Sequence, residues 1–351
     1  MKFPILTGIR RRIRKAAYRL RPKAVILLYH RVSDVESDPQ SMCVRPHRFA
    51  EHVEYLANHF SVISLHELAE SAKVNRRVQD RAVVITFDDG YADNLLYAKP
   101  LLEPFRTPAT VFVTTGSIDQ REEFWWDELE RILLQPSILP SRIHLQVNGQ
   151  MVEQDLAAAA DYTEQEALRD RAWNVMRPDN PTVRHKLYRD LCSLLRPLTL
   201  AARTETMRAL RSWSGVQAAG RQTHRALSSR ELRDLEAGQL IEVGAHTVSH
   251  SVLSQLPVSE QRAEISGSCA RLAEVLGKAP RSFAYPFGTK ADYTAETITL
   301  VREAGFTAAC SNFHDCVIGT EDGFQLPRMI VRDWDSEKFA RILNDWFQGD
   351  F

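Results

Sequence analysis

Two short clusters hold the residue types that could do chemistry in this chain. Asp88, Asp89 and Gly90 come just after the apolar run Ala82-Val83-Val84-Ile85-Thr86, and His246 and His250 come just after Ile241-Glu242-Val243-Gly244-Ala245. Two imidazoles four residues apart share one face of a helical turn, a spacing that grips a single metal ion at about 2.0–2.1 Å per nitrogen. His-x-x-x-His alone also describes a packing or capping pair. Its place after a strand adds weight, because barrel active sites lie at the C-terminal ends of strands. Successive residues leaving a strand point in different directions, so one carboxylate can complete a His-His-Asp triad while the other faces a water. Such a site with an open position lowers the pKa of water toward about 7. Gly90 lets the backbone turn sharply there. A helix cap plus a surface carboxylate would explain Asp-Asp-Gly alone, but not the matching histidines at a second strand end. Together these residues have the makings of a metal-dependent hydrolase.

The elements that must position them alternate. Ala24 to His30 is an apolar run of strand length ending on a histidine, and Pro46 to Phe60 repeats Phe49, Val53, Leu56 and Phe60 at helical spacing. A short β-like run follows at 61–65, then helix from His66 to Ala72, strand at 82–87, helix from Asn94 to Leu102 and strand from Ala109 to Thr114. This rhythm predicts parallel βα units, as an open doubly wound sheet or a barrel. It breaks between about 120 and 225. There Phe124-Trp125-Trp126 opens a helix, Asn148-Gly149 marks a hairpin, and 155–215 is rich in Ala, Leu and Arg. The rhythm resumes with strands near 241–245, 282–285, 307–310 and 328–332. The predicted division is a basic leader at 1–23, the first part of a barrel at 24–119, a mainly helical insertion at 120–225 and the rest of the barrel at 226–351.

Composition sets the outer bounds. Of 351 residues 44% are hydrophobic, and 45 basic side chains balance 45 acidic ones, so global charge gives no reason to expect a nucleic-acid partner. The five cysteines form no Cys-x-x-Cys pair, which argues against a cysteine zinc site or a disulfide framework and for a reducing compartment. Basic residues crowd between Arg10 and Lys23 without the apolar run of an export signal. Two readings apply to this leader: a solvated segment, or a basic helix on an anionic membrane surface. The expected location is cytoplasmic, with peripheral contact at the inner membrane face if the second reading holds.

Thr86-Phe87-Asp88-Asp89-Gly90-Tyr91 and His246-Thr247-Val248-Ser249-His250 resemble the first and second motifs of the polysaccharide deacetylases, the NodB-homology group or carbohydrate esterase family 4. The resemblance spans 24–118 and 225–335. It implies a distorted (β/α) barrel that removes N-acetyl groups from sugars with a divalent metal, usually zinc. Asp88 would be the general base, and Asp89, His246 and His250 the metal ligands. The third motif matches at Phe283 to Gly288, except that Ala284 stands where the family has the arginine that orients the base. Arg328, between a loop and the strand Met329-Ile330-Val331, is the candidate substitute; an ordinary surface arginine is the competing reading.

The family's last motif, Leu-x-His, supplies the general acid and normally lies near the C-terminus. Here the match is Leu28-Tyr29-His30 in the first strand, similar to the permuted order of the poly-N-acetylglucosamine deacetylases. His30 is therefore assigned as the acid, against a buried core histidine. Asp333-Trp334-Asp335 resembles the fourth motif, which walls the acetyl pocket and orients the acid histidine. Tyr91, Tyr285, Phe287 and Trp334 are candidate substrate contacts, Tyr91 through its backbone N–H, and Trp125 and Trp126 are candidate stacking rings.

The expected activity is removal of N-acetyl groups from an N-acetylhexosamine in a polysaccharide, glycolipid, lipid-linked or nucleotide-linked sugar. The alternatives are deformylation or O-deacetylation of sugars, or a carbohydrate-binding homologue without catalysis.

Overall fold

The computed structural model describes residues 21–75, 77–218 and 220–349. The part of the basic leader at 1–20 lies outside them. Eight strands form one sheet: β1 (Ala24–Tyr29), β2 (Ser61–Val62), β3 (Ala82–Phe87), β4 (Ala109–Val113), β5 (Ile241–Ala245), β6 (Ser282–Ala284), β7 (Ala308–Cys310) and β8 (Met329–Ile330). They run in the order β7-β6-β5-β4-β3-β1-β8, with β2 beside the start of β3. Every pairing is parallel. β1, β3 and β4 are buried at every residue, which is why they read as unbroken apolar runs and not as alternating strands. The sheet curls into a half-barrel with helices around it. Contact between Cys310 and Leu326 carries the curl from β7 to the segment leading into β8.

Helices pack the outer face through the residues their periodicity marks. Phe49, Val53 and Leu56 of the helix Pro46–His59 are fully buried, and the helix Ser336–Gln348 meets it through Phe339, which stacks on His52 at 4.0 Å. The single helix expected over Asn94 to Leu102 is instead a π turn at Asn94–Ala98 running into a short α segment at Lys99–Leu102. Pro100 has no N–H to give the carbonyl four residues back, so the ladder cannot run regularly there.

Residues between Trp125 and Ser214 build a second apolar cluster from the helices Trp125–Leu133, Val183–Leu195 and Leu200–Ser214 and the hairpin Arg142–Val147/Gln150–Asp155. Arg184 is fully buried in it and donates to the carbonyls of Leu133, Ser137, Ala159 and Ala160. These bonds fasten loop backbone that would otherwise be buried without partners. Arg211 pairs with Glu128 at 2.9 Å, and Arg221 pairs with Glu123 at 2.9 Å and Glu130 at 2.5 Å. Among the described residues no helix is long and apolar enough to cross a membrane.

Candidate active site

The chemistry gathers at the C-terminal ends of β1, β3 and β5, joined by Arg328 from the start of β8. Asp88 and Asp89 leave β3, His246 leaves β5, His30 leaves β1, and Arg328 enters β8. β4 lies between β3 and β5 and aligns them, with Thr114 N–H donating to Asp89 O and His246 N–H to Val113 O. The chain turns back through two left-handed residues, Asp89 (φ 71°) and Gly90 (φ 80°). A side chain at Gly90 would meet Val113 at 3.0 Å.

The two histidines converge, but not on a helical turn. Thr247 (φ 63°) and His250 (φ 55°) are left-handed, and the segment is irregular. Thr247 Oγ1 accepts from the His250 N–H, and Glu264 accepts from the N–H groups of Val248 and Ser249. These side-chain acceptors replace helical carbonyls and fold the loop more tightly than a helix would. His246 Nε2 lies 3.7 Å and His250 Nε2 3.3 Å from Asp89 Oδ1. His246 Nδ1 donates to the carbonyl of Ala284 at 2.8 Å, which leaves Nε2 with a free lone pair toward the cluster.

The three ligand atoms of Asp89, His246 and His250 lie within 4.8 Å of one another, and all three residues are buried. Asp89 Oδ1 has no hydrogen-bond partner. Burial pushes the Asp89 carboxyl up and His246 down, and brings His250 down to about 3, so both imidazoles are neutral and available as ligands. An unsatisfied buried oxygen beside two neutral imidazoles fits a divalent cation.

Asp88 faces the other way. Arg328 has no exposed surface, and its two terminal nitrogens donate to the two Asp88 oxygens at 2.7 Å each; its Nε donates to the carbonyl of Ser311 at 2.8 Å. Burial raises the Asp88 pKa, but Arg328, through charge and paired hydrogen bonds, and His246 outweigh it and bring it down to about 2. Arg328 rests over the ring of Phe112, and Gly244 makes room for that ring. His246 Nε2 is 3.9 Å from Asp88 Oδ2, so Asp88 adjoins the cation site without belonging to it.

A cavity of about 430 Å³ opens over these groups and is lined by His30, Asp88, Asp89, His246, His250 and Phe287. Trp125 and Trp126 line it too, with the Trp126 ring 4.9 Å from His250. Burial lowers the pKa of His30, opposed by the charges of Asp89 and Asp88.

Two expected side-chain contacts, Tyr285 and Trp334, are corrected, while the expected backbone contact of Tyr91 does not depend on its ring. Tyr91 is fully buried beneath the site, where its hydroxyl donates to Asp127 at 2.6 Å and accepts from Trp126 Nε1 at 2.8 Å, so any substrate contact falls to its backbone. Tyr285 is buried, stacks on Tyr293 at 4.1 Å and donates to the carbonyl of Phe324. Trp334 lies outside the cavity near Trp346, and Asp333 pairs with Arg45 at 2.7 Å. For Tyr285 and Trp334, packing holds a ring that its motif position suggested was free. Conversely, Gln40, Met176, Arg196, Asn312 and Arg332 line the cavity, and the motifs singled out none of them. For Arg332 the signal was its place just past strand β8, as His30 lies just past β1.

The class this architecture defines is a (β/α) half-barrel with a carboxylate–histidine cation site and a clamped second carboxylate. Residues 75–139 and 213–309 match the family model for polysaccharide deacetylase. YxkH of Bacillus subtilis, which carries the polysaccharide deacetylase name, is 28% identical over 142 residues, 40% of this chain and 50% of that one. The poly-β-1,6-N-acetyl-D-glucosamine N-deacetylase of Escherichia coli K12 is 32% identical over 94 residues, 26% of this chain and 14% of that one. The chain thus spans at most half the length of these relatives. The structure of the Streptococcus pyogenes deacetylase PplD in complex with acetate has a similar fold, with a TM-score of 0.56 at 15% identity over 92% of this chain and 99% of that one.

Proposed function

We propose that this protein is a metal-dependent N-deacetylase acting on an N-acetylhexosamine of a glycan. The observation that carries this reading is the Asp88 carboxylate, clamped by Arg328 and adjoining the Asp89–His246–His250 cluster. The names of the relatives support the reaction type, and the Escherichia coli relative's name supports an N-acetylated polysaccharide.

Asp89, His246 and His250 would hold a divalent cation, with zinc favoured by two imidazoles and one carboxylate. When bound, it supplies Lewis-acid polarisation of the amide carbonyl and a lowered pKa for water. Asp88, ionised and held in place by Arg328, takes the proton from the attacking water. The backbone N–H of Tyr91 would stabilise the developing oxyanion. His30 gives a proton to the departing nitrogen; burial lowers its pKa, which makes the protonated ring a stronger acid. Phe287 and Trp125 wall the cavity against water.

The test is acetate release by zinc-loaded protein from N-acetylated oligosaccharides, nucleotide sugars and lipid-linked sugars, with Asp88→Asn as the blank. Release from one class establishes the activity and its substrate. No release from any class, with metal confirmed in the protein, overturns the reading.

A further inference from the structure

We propose that the substrate carries an oxyanion, a phosphate or a carboxylate, close to the acetamido group, and that Arg332 receives it. This rests on the deacetylase reading and narrows its substrate class.

The cavity arginines differ in what neutralises them. Arg328 is taken up by Asp88. Arg196, from the insertion, donates to Asp292 at 2.6 Å and lies over the ring of Phe287. Arg332 lines the same cavity, is half-buried and makes no ion pair among the described residues. It donates to the carbonyl of Ser41. Asp38, the carboxylate that acts on it through space, instead accepts from the N–H groups of Met42 and Cys43 at 2.9 and 2.8 Å. A guanidinium drawn out of water without a counter-ion is costly, and its planar fork suits an oxyanion.

Its position selects where that oxyanion sits. In the parallel register Leu28 lies opposite Ile330, and Val331 N–H donates to Leu28 O. His30 and Arg332 each lie two residues further on, at neighbouring strand ends roughly 4.8 Å apart. With His30 facing the departing nitrogen, Arg332 lies within reach of a charged substituent near that nitrogen. With Arg328 taken up by Asp88 and Arg196 by Asp292, Arg332 is the cavity arginine left without an ion pair among the described residues. A neutral N-acetylhexosamine polymer brings nothing to balance it.

The test uses the full-length, metal-free protein and its tryptophan fluorescence, since Trp125 and Trp126 line the cavity. The probes are N-acetylglucosamine, N-acetylglucosamine 1-phosphate, N-acetylmuramic acid and inorganic phosphate. The expected result is that at least one anionic sugar binds about tenfold tighter than the neutral sugar, and that Arg332→Gln abolishes the difference. Arg332→Lys, which keeps the charge, should retain part of it. The phosphorylated and carboxylated arms tell the two oxyanions apart. Equal binding of neutral and anionic sugars, or a preference unchanged in folded Arg332→Gln, overturns the proposal. Turnover of the same sugars by zinc-loaded protein separates the two readings. Preference without acetate release from any sugar sinks the deacetylase reading alone. Equal turnover of neutral and anionic sugars, with no effect of Arg332→Gln on their ratio, sinks this one alone.

Discussion

Asp88 and Arg328 face each other through two parallel hydrogen bonds of 2.7 Å, across 240 residues of sequence. The pair fixes both carboxylate oxygens and keeps the group ionised. A lysine at 328 supplies one point charge and cannot hold both oxygens. Arg328→Lys should therefore lower kcat on the order of 10–100-fold with little change in KM, in steady-state acetate release. Arg328→Ala strands a buried carboxylate and should cost roughly 3–5 kcal/mol in denaturant unfolding. Unchanged kcat in Arg328→Lys would remove the positioning role.

The cation site and the base should separate by mutation. Asp88→Asn should lose turnover by about 100-fold or more while metal stoichiometry stays intact. Asp89→Ala or His246→Ala should lose metal as well, measured by elemental analysis after gel filtration. Metal loss in Asp88→Asn at the level of Asp89→Ala would place Asp88 among the ligands.

Asp127 gives the fold a pH dependence. Burial raises its pKa to about 7, opposed by Arg31 and by the hydrogen bond from Tyr91. Between its ordinary value and about 7, the folded protein binds a proton that the unfolded chain does not. This contribution to stability is thus fully present below the ordinary carboxyl pKa and is lost as pH rises toward 7. The slope is on the order of 1 kcal/mol per pH unit. Urea unfolding of the metal-free protein from pH 5 to 8 should show the decline, and Asp127→Asn should flatten it. The same slope in both proteins would rule Asp127 out as its source.

Gly244 should resist substitution for reasons of space. A Cβ there would lie 2.5 Å from the Phe112 ring and 2.8 Å from Ser282 Oγ. Gly244→Ala should destabilise by about 1–3 kcal/mol in thermal unfolding. Because Phe112 supports Arg328, kcat should fall with it. A variant of wild-type Tm would show that the strands can spread at no cost.

The strands were legible because a parallel sheet buried on both faces leaves unbroken apolar runs, as at Ala24–Tyr29 and Ala82–Phe87. The chemical groups were legible because each lies next to such a run. The loop at His246 to His250 was misread as helical because its shape depends on Glu264, fourteen residues beyond His250 and on another element. Tyr285 and Trp334 were misread because motif position does not reveal which side of a ring the core covers. Arg332 went unnoticed because its partner strand, β1, is some 300 residues away. A single sequence carries no record of that pairing.

The pairing of β1 with β8 also sets an order of assembly. A nascent chain has all three cation ligands once residue 250 has emerged, but Asp88 gains its counter-ion only when Arg328 follows. Closing the sheet across such a sequence separation is slow compared with forming local βα units. During synthesis the proposed cation site would therefore have all its ligands while the carboxylate beside it is still unclamped. On the proposed reading, metal capture and catalytic competence would be separate events, joined by the last strand.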